Sequence, residues 1–308
     1  MRNETQVPEF ILLGLTNIPE LQPFAFGVLF MAYTITIMGN IIIISITFTD
    51  YRLRTPMYFF LRNLSFIDVC IITLIVPRML TDLRAQKRTI SLHACLLQYF
   101  CFMFFGAVEF TLLAVMSFDR YVAICYPLRY TTIMSQRLCS LLVISCWTGT
   151  IFLPIMPIFL MSQLSYCKSN VIDHFFCDYT PLMKISCGDK QFLELVHFLV
   201  AFCTVLCTLL LISVSYTYIL ITIMQIPSAK ARQRAFSTCS SHLIVITICY
   251  GSIILMYIRP TQKEDPDLNK GLTILMIVFA PLMNPFIYTL RNQQVKDALR
   301  DAARKTLI

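Results

Sequence analysis

Charged side chains are scarce in this sequence of 308 residues. Asp, Glu, Lys and Arg make up 14% of it, whereas 57% of the residues are hydrophobic and the mean hydropathy is +0.71. A water-soluble domain cannot bury that much apolar surface. A soluble globular protein is therefore excluded, and the sequence leaves no soluble basic domain that could bind nucleic acid.

Sequence patterns of catalysis are also missing. No phosphate-binding loop, nucleophile elbow or zinc-hydrolase pattern occurs, so we do not expect an enzyme. A transporter would predict repeated hydropathy halves with interrupted helices and an ion site at the membrane midplane. No internal repetition is visible, and that alternative is favoured only by two acids within apolar runs, Asp68 and Glu109. Residues 1–23 contain no apolar core followed by a cleavage site, so we expect no removable signal peptide.

Long apolar runs dominate the chain instead. A run of about 20 apolar residues can cross the hydrocarbon layer of a membrane, and an isolated span must satisfy its own backbone hydrogen bonds, so each run predicts a helix. The sequence thus predicts an all-α membrane protein, a seven-transmembrane helix bundle occupying residues 24–290, with spans at 24–48, 57–80, 94–118, 139–161, 194–224, 238–258 and 271–290.

Two tails flank the predicted bundle. Residues 1–23 form a polar N-terminal tail, which we expect to be extracellular and mobile around its glycosylation sequon. Residues 291–308 form a cytoplasmic tail whose side chains are spaced for one apolar and one basic helix face. This pattern predicts a short amphipathic helix on the inner membrane surface, with Val295, Ala298, Leu299, Ala302 and Ala303 apolar and Lys296, Arg300 and Arg304 polar.

The distribution of Lys and Arg along the chain favours one direction of membrane insertion only weakly. A glycosylation sequon and a group of cysteines predict the direction better. Asn3 begins an Asn-Glu-Thr sequon, which has meaning only if the tail reaches the lumen. Four cysteines cluster on that same side, and an even number there suggests two disulfides among three possible pairings: Cys95, Cys167, Cys177 and Cys187. In this orientation the inner face is basic, which suits anionic membrane lipid and an acidic or dipolar cytosolic partner.

Seven short motifs, in order along almost the whole chain, carry a family resemblance. They are Gly39-Asn40, the Thr-Pro-Met-Tyr-Phe-Phe-Leu run from Thr55 to Leu61, Leu64 to Asp68, Asp119-Arg120-Tyr121 through Cys125, Ser215-Tyr216, Ala235 to His242, and Asn284-Pro285 through Tyr288. With these motifs the sequence resembles the odorant receptors of the rhodopsin-like G-protein-coupled receptor superfamily. The resemblance implies a plasma-membrane receptor for small volatile odorants.

The resemblance also implies a signalling role for the inner ends of the helices. The partner would be a stimulatory, olfactory-type heterotrimeric G protein that raises cyclic AMP. The residues assigned to coupling and activation are Asp119, Arg120, Tyr121, Tyr216, Asn284, Pro285 and Tyr288. We expect Asp119 and Arg120 to hold each other at rest. From the residues alone, Arg120 could instead anchor the helix end at lipid phosphates, and Pro285 could be a static kink.

A ligand site is predicted in the outer half of the bundle. Helical spacing puts Met103, Gly106, Ala107 and Phe110 on one face of the third span. The resemblance adds Val200, Ala201, Thr204, Tyr250, Ile253, Ile254, Tyr257, Ile274 and Ile277. Apolar walls with a few hydroxyl groups predict a small, mostly apolar, uncharged ligand, although lipid contact or helix packing explains any single position equally well.

Two absences within the family pattern sharpen this prediction. Phe102 stands where amine receptors of the superfamily carry an Asp, and Val278 stands where opsins carry the retinal Lys. No ammonium counter-ion or Schiff-base lysine is therefore expected. The segment from His174 to Asp178 could be read as a metal site, but a Cys177 engaged in a disulfide has no thiolate to offer.

The remaining expectations concern the disulfides and the two costly acids. The resemblance implies that Cys95 pairs with Cys177 and Cys167 with Cys187, tying a long loop over the bundle. It also implies that Asp68 and Glu109 face each other in the interior with Asn40 and Asn284. These two carboxyl groups could share a sodium ion, one could keep its proton, or the group could be a purely structural polar network. No other cofactor is expected.

Overall fold

The computed structural model describes residues 9–16, 18–85, 88–257, 266–290 and 293–306, together with most of their side chains. It is almost entirely helical. Its α-helices are α1 (Gln22–Thr49), α2 (Pro56–Arg84), α3 (Leu92–Cys125), α4 (Tyr130–Ile133), α5 (Gln136–Thr150), α6 (Ile155–Ser162), α7 (Tyr179–Ile185), α8 (Gln191–Gln225), α9 (Ala229–Tyr257), α10 (Pro266–Ile274), α11 (Ala280–Leu290) and α12 (Gln293–Thr306). Short 3-10 turns occur at Pro19–Leu21, Tyr51–Leu53 and Pro127–Arg129, and a π-helical segment at Leu275–Phe279 joins α10 to α11.

The helices confirm the predicted fold class, a seven-helix membrane bundle. Six helical segments are long and apolar enough to cross a membrane: Pro19–Thr49, Pro56–Arg84, Leu92–Cys125, Gln136–Ser162, Gln191–Gln225 and Asp267–Ile287. The seventh is α9, whose apolar stretch is the shorter His242–Leu255.

Two of the predicted spans depart from a continuous α-helix. The span predicted at 139–161 contains a turn over residues 151–154 between α5 and α6, where Pro154 caps α6. A proline lacks the backbone donor that would continue the helix. In the last span, α11 continues through Pro285, and the departure from α-helical geometry lies at Leu275–Phe279. Wide turns of this kind are frequent at functional sites.

Helix α3 runs through the centre of the bundle and contacts α2, α5, α6, α8 and α9. Its inward face, including Leu112, Leu113 and Met116, is buried in the main hydrophobic core. Long side chains on its neighbours close around it, among them Ile72, Ile75 and Ile219, which are fully buried. Helix α3 is therefore enclosed on several sides by other helices.

A small three-stranded sheet covers one end of the bundle, which we call the sheet end. Strand β1 (Glu9–Leu12) lies between β2 (Thr89–Ser91), to which it is antiparallel, and β3 (Val171–Ile172), to which it is parallel. Phe10 and Leu12 are fully buried. The expectation of a mobile N-terminal tail is therefore wrong for Glu9–Leu12, because two apolar side chains in alternation give this segment a buried face. Asn3 lies outside the described residues.

Two disulfides stabilise the sheet end: one bonds it to a helix, and the other lies within it. Cys95 of α3 is bonded to Cys177, and Cys167 to Cys187, which is the pairing that the family resemblance implied. The first bond anchors the loop of residues 163–190 to the top of the central helix. The second closes that loop on itself across a short bridge between Ser165 and Cys187.

At the opposite end, α12 packs against the protein. Val295 and Ala298 are buried in a cluster with Leu53 and Tyr58. Polar contacts reinforce the docking, since the Tyr58 hydroxyl donates to Gln294 Oε1 at 3.0 Å and Arg52 Nη2 lies 2.8 Å from Asp301 Oδ2. The predicted amphipathic helix is present, but its apolar face at Val295 and Ala298 meets α1 and α2 rather than lipid. The side chains of Ala302 and Ala303 lie outside the described set.

Candidate ligand cavity and polar core

A cavity of about 530 Å³ lies near the sheet end, between α3, α8, α9, α10 and the loop of residues 163–190. Its deep part is apolar. There α3 contributes Gly106, Ala107 and Phe110, and α8 contributes Val200 and Ala201. A β-carbon at Gly106 would meet no atom within 4 Å, so the absence of a side chain at this position leaves open space in the cavity wall.

The structure brings eight of the predicted ligand positions together around this cavity: Met103, Gly106, Ala107, Phe110, Val200, Ala201, Thr204 and Ile253. Those on α3 follow the i, i+3, i+4, i+7 spacing of one helix face. Thr204 donates its hydroxyl to the Val200 carbonyl at 2.7 Å, one turn earlier on α8. Whether any of them contacts a ligand remains a prediction.

Four other predicted positions do not line the cavity. Tyr250 is buried beneath it, with its ring edge-on to Phe110 at a centroid distance of 4.9 Å. Ile254 is exposed on the outside of α9, and Ile277 is buried within the core. Ile274 packs against that core. The side chain of the fifth, Tyr257, lies outside the described set.

On α10 and the π-helical segment the cavity wall is formed by residues that the sequence did not single out, Asn269, Thr273 and Met276. These three residues follow the i, i+4, i+7 spacing of one helix face, and Asn269 and Thr273 precede the π-helical segment. The predicted positions Ile274 and Ile277, taken from the family resemblance, each lie one residue further along the chain than the lining residues Thr273 and Met276.

The loop makes the outer part of the cavity polar. Asp173, His174, Asp178, Tyr179 and Lys184 all line it. The expectation of walls that carry hydroxyl groups but no charge is therefore wrong at the sheet end. Sequence patterns could not reveal this, because the loop reaches the cavity only by folding back over α3 through the disulfide of Cys95.

The charges at this end are arranged in a defined way. Lys270 of α10 donates from Nζ to Asp173 Oδ1 at 2.6 Å, with 8% of the Lys270 side chain exposed and 50% of the Asp173 side chain. Asp178 caps α7 by accepting a hydrogen bond from the Tyr179 amide at 2.8 Å. Burial raises the pKa of Asp178 to about 6. The carboxyl group of Asp178 therefore takes up a proton more readily than an exposed one.

Two histidines stand beside these charges. Burial, together with the nearby cation of Lys270, lowers the pKa of His174 to about 3, so the imidazole is neutral at physiological pH. His197 of α8 lines the cavity with its ring stacked on that of Tyr179, at a centroid distance of 3.6 Å. Sequence reasoning missed His197, and a lone histidine within an apolar run gave no signal to find it.

Beneath the cavity lies a buried polar core. Asn284 donates from Nδ2 to Asp68 Oδ2 at 2.8 Å, and Asn40 donates to the carbonyl of Pro281 at 3.3 Å. The Cys249 thiol lies 3.5 Å from Glu109 Oε1 and donates to it. Asp68 Oδ1, Asn40 Oδ1 and Asn284 Oδ1 are buried without a hydrogen-bond partner among the described residues. No cluster of three or more His, Cys, Asp or Glu side chains able to hold a metal occurs in the described part of the chain.

At the far end of α3, the residues assigned to coupling form two separate contacts. Asp119 is buried and accepts a hydrogen bond from the Tyr130 hydroxyl at 2.8 Å. The Tyr216 hydroxyl lies 2.8 Å from His242 Nδ1. Asp119 and Arg120 form no direct ion pair within 4.0 Å, but the Arg120 charge lies close enough to attract the Asp119 carboxylate, whose hydrogen-bond partner is Tyr130. The expected hold between Asp119 and Arg120 stays a prediction.

The other coupling positions are placed as follows. Arg120 is buried, and Tyr121 is half-buried with its hydroxyl 3.4 Å from that of Tyr126. Pro285 lies against Gly39 of α1. The side chain of Tyr288 lies outside the described set. The structure thus groups these residues at two levels, one around Asp68 and one around Arg120.

Comparisons with known proteins agree on one family. A family model described as "Olfactory receptor" matches residues 29–305. The chain is 52% identical to human "Olfactory receptor 2AP1" over 307 residues, which is 100% of this chain and 99% of that protein. It is 52% identical to human "Olfactory receptor 6C4" over 305 residues, 99% of each chain.

A solved structure supports the fold. The crystal structure of squid rhodopsin matches with a TM-score of 0.69, covering 94% of this chain and 87% of that one, at 17% sequence identity. At this identity the similarity concerns the arrangement of the helices alone.

Proposed function

This chain belongs to the olfactory receptor family, and we propose that it is activated by small, mostly apolar volatile molecules bound in the cavity near the sheet end. The family consists of multi-pass plasma-membrane receptors that sense odorants and act through heterotrimeric G proteins, and its members are not enzymes. For this chain the partner we propose is a stimulatory, olfactory-type G protein, whose activation raises cyclic AMP.

The cavity itself carries the proposal. A volume of about 530 Å³ suits a small organic molecule. Its deep wall of Gly106, Ala107, Phe110 and Val200 offers apolar surface, which contributes roughly 25 cal/mol for each Å² that a ligand buries. A small ligand held in this way binds with micromolar strength or weaker and tolerates related shapes.

The charges at the cavity mouth also favour a neutral ligand. Asp173 is already neutralised by Lys270 at 2.6 Å. A charged ligand would lose its hydration on entering the apolar part, where the lining offers no opposite charge, at a cost of several kcal/mol. A neutral molecule with one hydrogen-bonding group can reach the polar outer part, where Thr273 and His197 lie.

A cavity-filling variant tests this proposal. Gly106→Leu places a side chain in open space of the cavity, so the response to bulky agonists should fall before the response to small ones. The matched control is Gly149→Leu, since a β-carbon at Gly149 also meets no atom within 4 Å but the residue is exposed on α5. Equal responses of both variants to every agonist size would contradict the proposal.

The competing function, transport, is separated by a second measurement. The purified receptor is mixed with a heterotrimeric G protein, and ligand-driven nucleotide exchange is compared with ligand uptake into vesicles. Receptor function predicts exchange without uptake. Uptake without exchange would favour the transporter.

The second part of the proposal concerns the end that carries Arg120. We assign coupling to Asp119, Arg120, Tyr121, Tyr216, Asn284, Pro285 and Tyr288. The burial of Arg120, and the contacts of Asp119 with Tyr130 and of Tyr216 with His242, support a resting arrangement that must open before the guanidinium can reach a partner. Its five donors are suited to the carbonyl groups of a G-protein segment.

Orientation and domain limits complete the proposal. The sheet end faces outward, because the disulfides Cys95–Cys177 and Cys167–Cys187 require an oxidising compartment. Residues 1–23 are then extracellular and open to glycosylation at Asn3. Residues 24–290 form the receptor domain, and residues 291–308 are cytoplasmic.

For the polar core we propose that Asp68 and Glu109 hold either a sodium ion or a shared proton. The buried oxygen atoms without partners, Asp68 Oδ1, Asn40 Oδ1 and Asn284 Oδ1, support the sodium alternative, since oxygen ligands suit this cation. Sodium would then stabilise the resting receptor. A sodium-dependent shift in thermal stability that Asp68→Asn removes would support this role, and a sodium-independent stability would favour the proton.

A further inference from the structure

The roof of the ligand cavity is the loop segment Val171–His174, and it is held along one edge by the N-terminal strand. The amide of Ile11 donates to the Asn170 carbonyl at 2.7 Å, that of Leu13 to Ile172 at 3.0 Å, and that of Gly14 to His174 at 3.1 Å. Val171, Asp173 and His174 line the cavity from above. Strand β1 thus fixes one edge of the roof through backbone hydrogen bonds and through the burial of Phe10 and Leu12 with Ile172.

The roof is also fixed at its C-terminal end. Phe175 and Phe176 are buried in the main core, and the next residue, Cys177, is bonded to Cys95 of α3. The Cys177 amide further donates to Gln98 Oε1 at 3.1 Å. These covalent and buried contacts hold the C-terminal end of the roof against α3.

The edge that faces α10 is different, because the side-chain pair of Lys270 and Asp173 bridges it. The pair is short, at 2.6 Å, and Lys270 is almost fully covered. Asp173 is half-exposed, so water can solvate its carboxylate when the pair breaks. Two neighbours of Lys270 on α10, Asn269 and Thr273, line the cavity directly below the bridge.

We propose that Lys270 is a positioning residue of the ligand site, which through Asp173 latches the loop roof to α10 and so sets how fast ligands leave the cavity and how large they can be. The proposal rests on the cavity being the odorant site. Of the three attachments of the roof it is the one that a side-chain rotation can open, so ligand passage is expected between the loop and α10.

A cysteine-accessibility measurement tests the latch without an agonist. Thr204→Cys introduces a thiol in the cavity wall, and its modification by a charged, membrane-impermeant methanethiosulfonate reagent is measured on the full-length receptor at the cell surface, after subtraction of the parent receptor's labelling. Adding Lys270→Met should speed this labelling by about threefold to tenfold, the range expected for losing one partly buried ion pair. An unchanged rate would overturn the proposal.

Variants of Lys270 and Asp173 show whether the two residues act through their ion pair or through separate structural roles. Asp173→Asn should match Lys270→Met, and the double variant should exceed neither, since both remove the same interaction. Lys270→Arg keeps the charge and should stay close to the parent rate. Glu194→Gln, which removes an exposed ion pair with Lys190 at 4.0 Å, is the matched control and should change nothing. Additive effects of Lys270→Met and Asp173→Asn would contradict action through the pair.

The ligand role is measured with an aliphatic aldehyde and ketone series of increasing chain length, using the decay of the cellular response after washout. Lys270→Met and Asp173→Asn should speed the decay by about threefold to tenfold, most for the longest agonists, because changes of this kind act mainly on dissociation. Faster labelling with unchanged decay would overturn the ligand role. If Lys270→Met does not reach the surface, Asp173→Asn decides, because its half-exposed side chain tolerates an amide.

The failure of this inference is distinguishable from the failure of the proposed function. Gly106→Leu is measured in the same series. If it alters size selectivity while the Lys270 and Asp173 variants leave labelling and decay unchanged, the latch is wrong and the cavity assignment stands. If Gly106→Leu also leaves every response unchanged, odorants bind elsewhere and both are wrong.

Discussion

Gly39 of α1 lies directly against Pro285 of α11. A β-carbon built at Gly39 would be 2.9 Å from Pro285 Cβ and 3.0 Å from its Cγ, closer than carbon atoms can approach without displacement. The two residues come from the first and the last of the family motifs, Gly39-Asn40 and Asn284-Pro285. Their contact lets α1 approach α11 closely enough for Asn40 to donate to the Pro281 carbonyl.

We therefore expect Gly39→Ala to destabilise the receptor by about 1–3 kcal/mol, the usual cost of overpacking a close contact. Gly27→Ala is the matched control, because it lies on the same helix with nothing within 4 Å of its β-carbon, and replacing glycine within a helix is favourable by itself. The measurement is the thermal unfolding midpoint in detergent. If the Gly39→Ala receptor unfolded at the same temperature as the Gly27→Ala receptor, the close contact between α1 and α11 would contribute nothing to stability.

The disulfide of Cys95 and Cys177 should be indispensable for folding. It closes the roof loop on α3, and a native disulfide contributes about 2–5 kcal/mol. Cys95→Ser should therefore abolish surface delivery, whereas Cys203→Ser, which changes an exposed free thiol on α8, should be tolerated. Peptide mapping under non-reducing conditions checks the pairing, and recovery of Cys95 linked to Cys167 or Cys187 would contradict it.

Arg120→Ala should leave odorant binding nearly intact and remove G-protein activation. Arg120 lies at the end of α3 opposite the cavity, so binding and coupling are separated along one helix. Arg137→Ala is the control, because Arg137 is exposed near the same end and has no assigned role. The measurement is nucleotide exchange on the G protein beside ligand binding to the same preparation. If the Arg120→Ala receptor still drove nucleotide exchange at the normal rate, the role assigned to Arg120 would be wrong.

Acidification should destabilise the sheet end through His174. Its pKa is about 3 in the folded protein, because burial and the cation of Lys270 disfavour the imidazolium, against an ordinary value near 6.5. Between these values the unfolded chain binds more protons than the folded one. The stability that neutral His174 contributes is thus fully present above about pH 6.5 and is lost as pH falls towards 3, by at most about 1.4 kcal/mol per pH unit.

Asp178 acts in the opposite direction. Its folded pKa of about 6 lies above the ordinary value, so the folded state takes up the extra proton as pH falls. We expect the unfolding midpoint of His174→Gln to fall less than that of the parent between about pH 7 and about pH 5, and that of Asp178→Asn to fall more. Parallel pH profiles of all three receptors would show that neither group is desolvated as the structure indicates. The other charged groups near His174, Asp173 and Lys270, are unchanged in this comparison.

The membrane spans could be predicted from the sequence because each one satisfies its requirements locally. A helix that crosses lipid must be apolar along its whole length and must form its hydrogen bonds within itself. The limits of α1 and α8 therefore lie within three residues of the predicted runs, whereas α2 and α3 continue past their predicted ends, to Arg84 and Cys125. The turn before Pro154 and the π-helical segment at Leu275–Phe279 were not predicted, since small local changes in hydrogen bonding leave the apolar pattern unaltered.

The residues of the candidate ligand site were likewise predictable from the sequence only in part. The face of α3 that carries Met103, Gly106, Ala107 and Phe110 follows from helical spacing, and all four line the cavity. The face of α10 that carries Asn269 and Thr273 was missed, because the family resemblance supplied Ile274 and Ile277, each one residue beyond the lining residues Thr273 and Met276. Tyr250 and Ile277 are buried in the interior, and neither lines the cavity.

The sequence by itself determined the apolar spans, the order of the family motifs and the face of α3 that lines the cavity. Only the tertiary structure decided that Asp119 accepts a hydrogen bond from Tyr130, that the N-terminal strand holds one edge of the cavity roof, and that Lys270 reaches Asp173 across a separation of 97 residues. The physical reason is the range of the interactions. Insertion into lipid selects residues one helix at a time, whereas roof and core contacts depend on where distant segments meet after the bundle and its disulfides have formed.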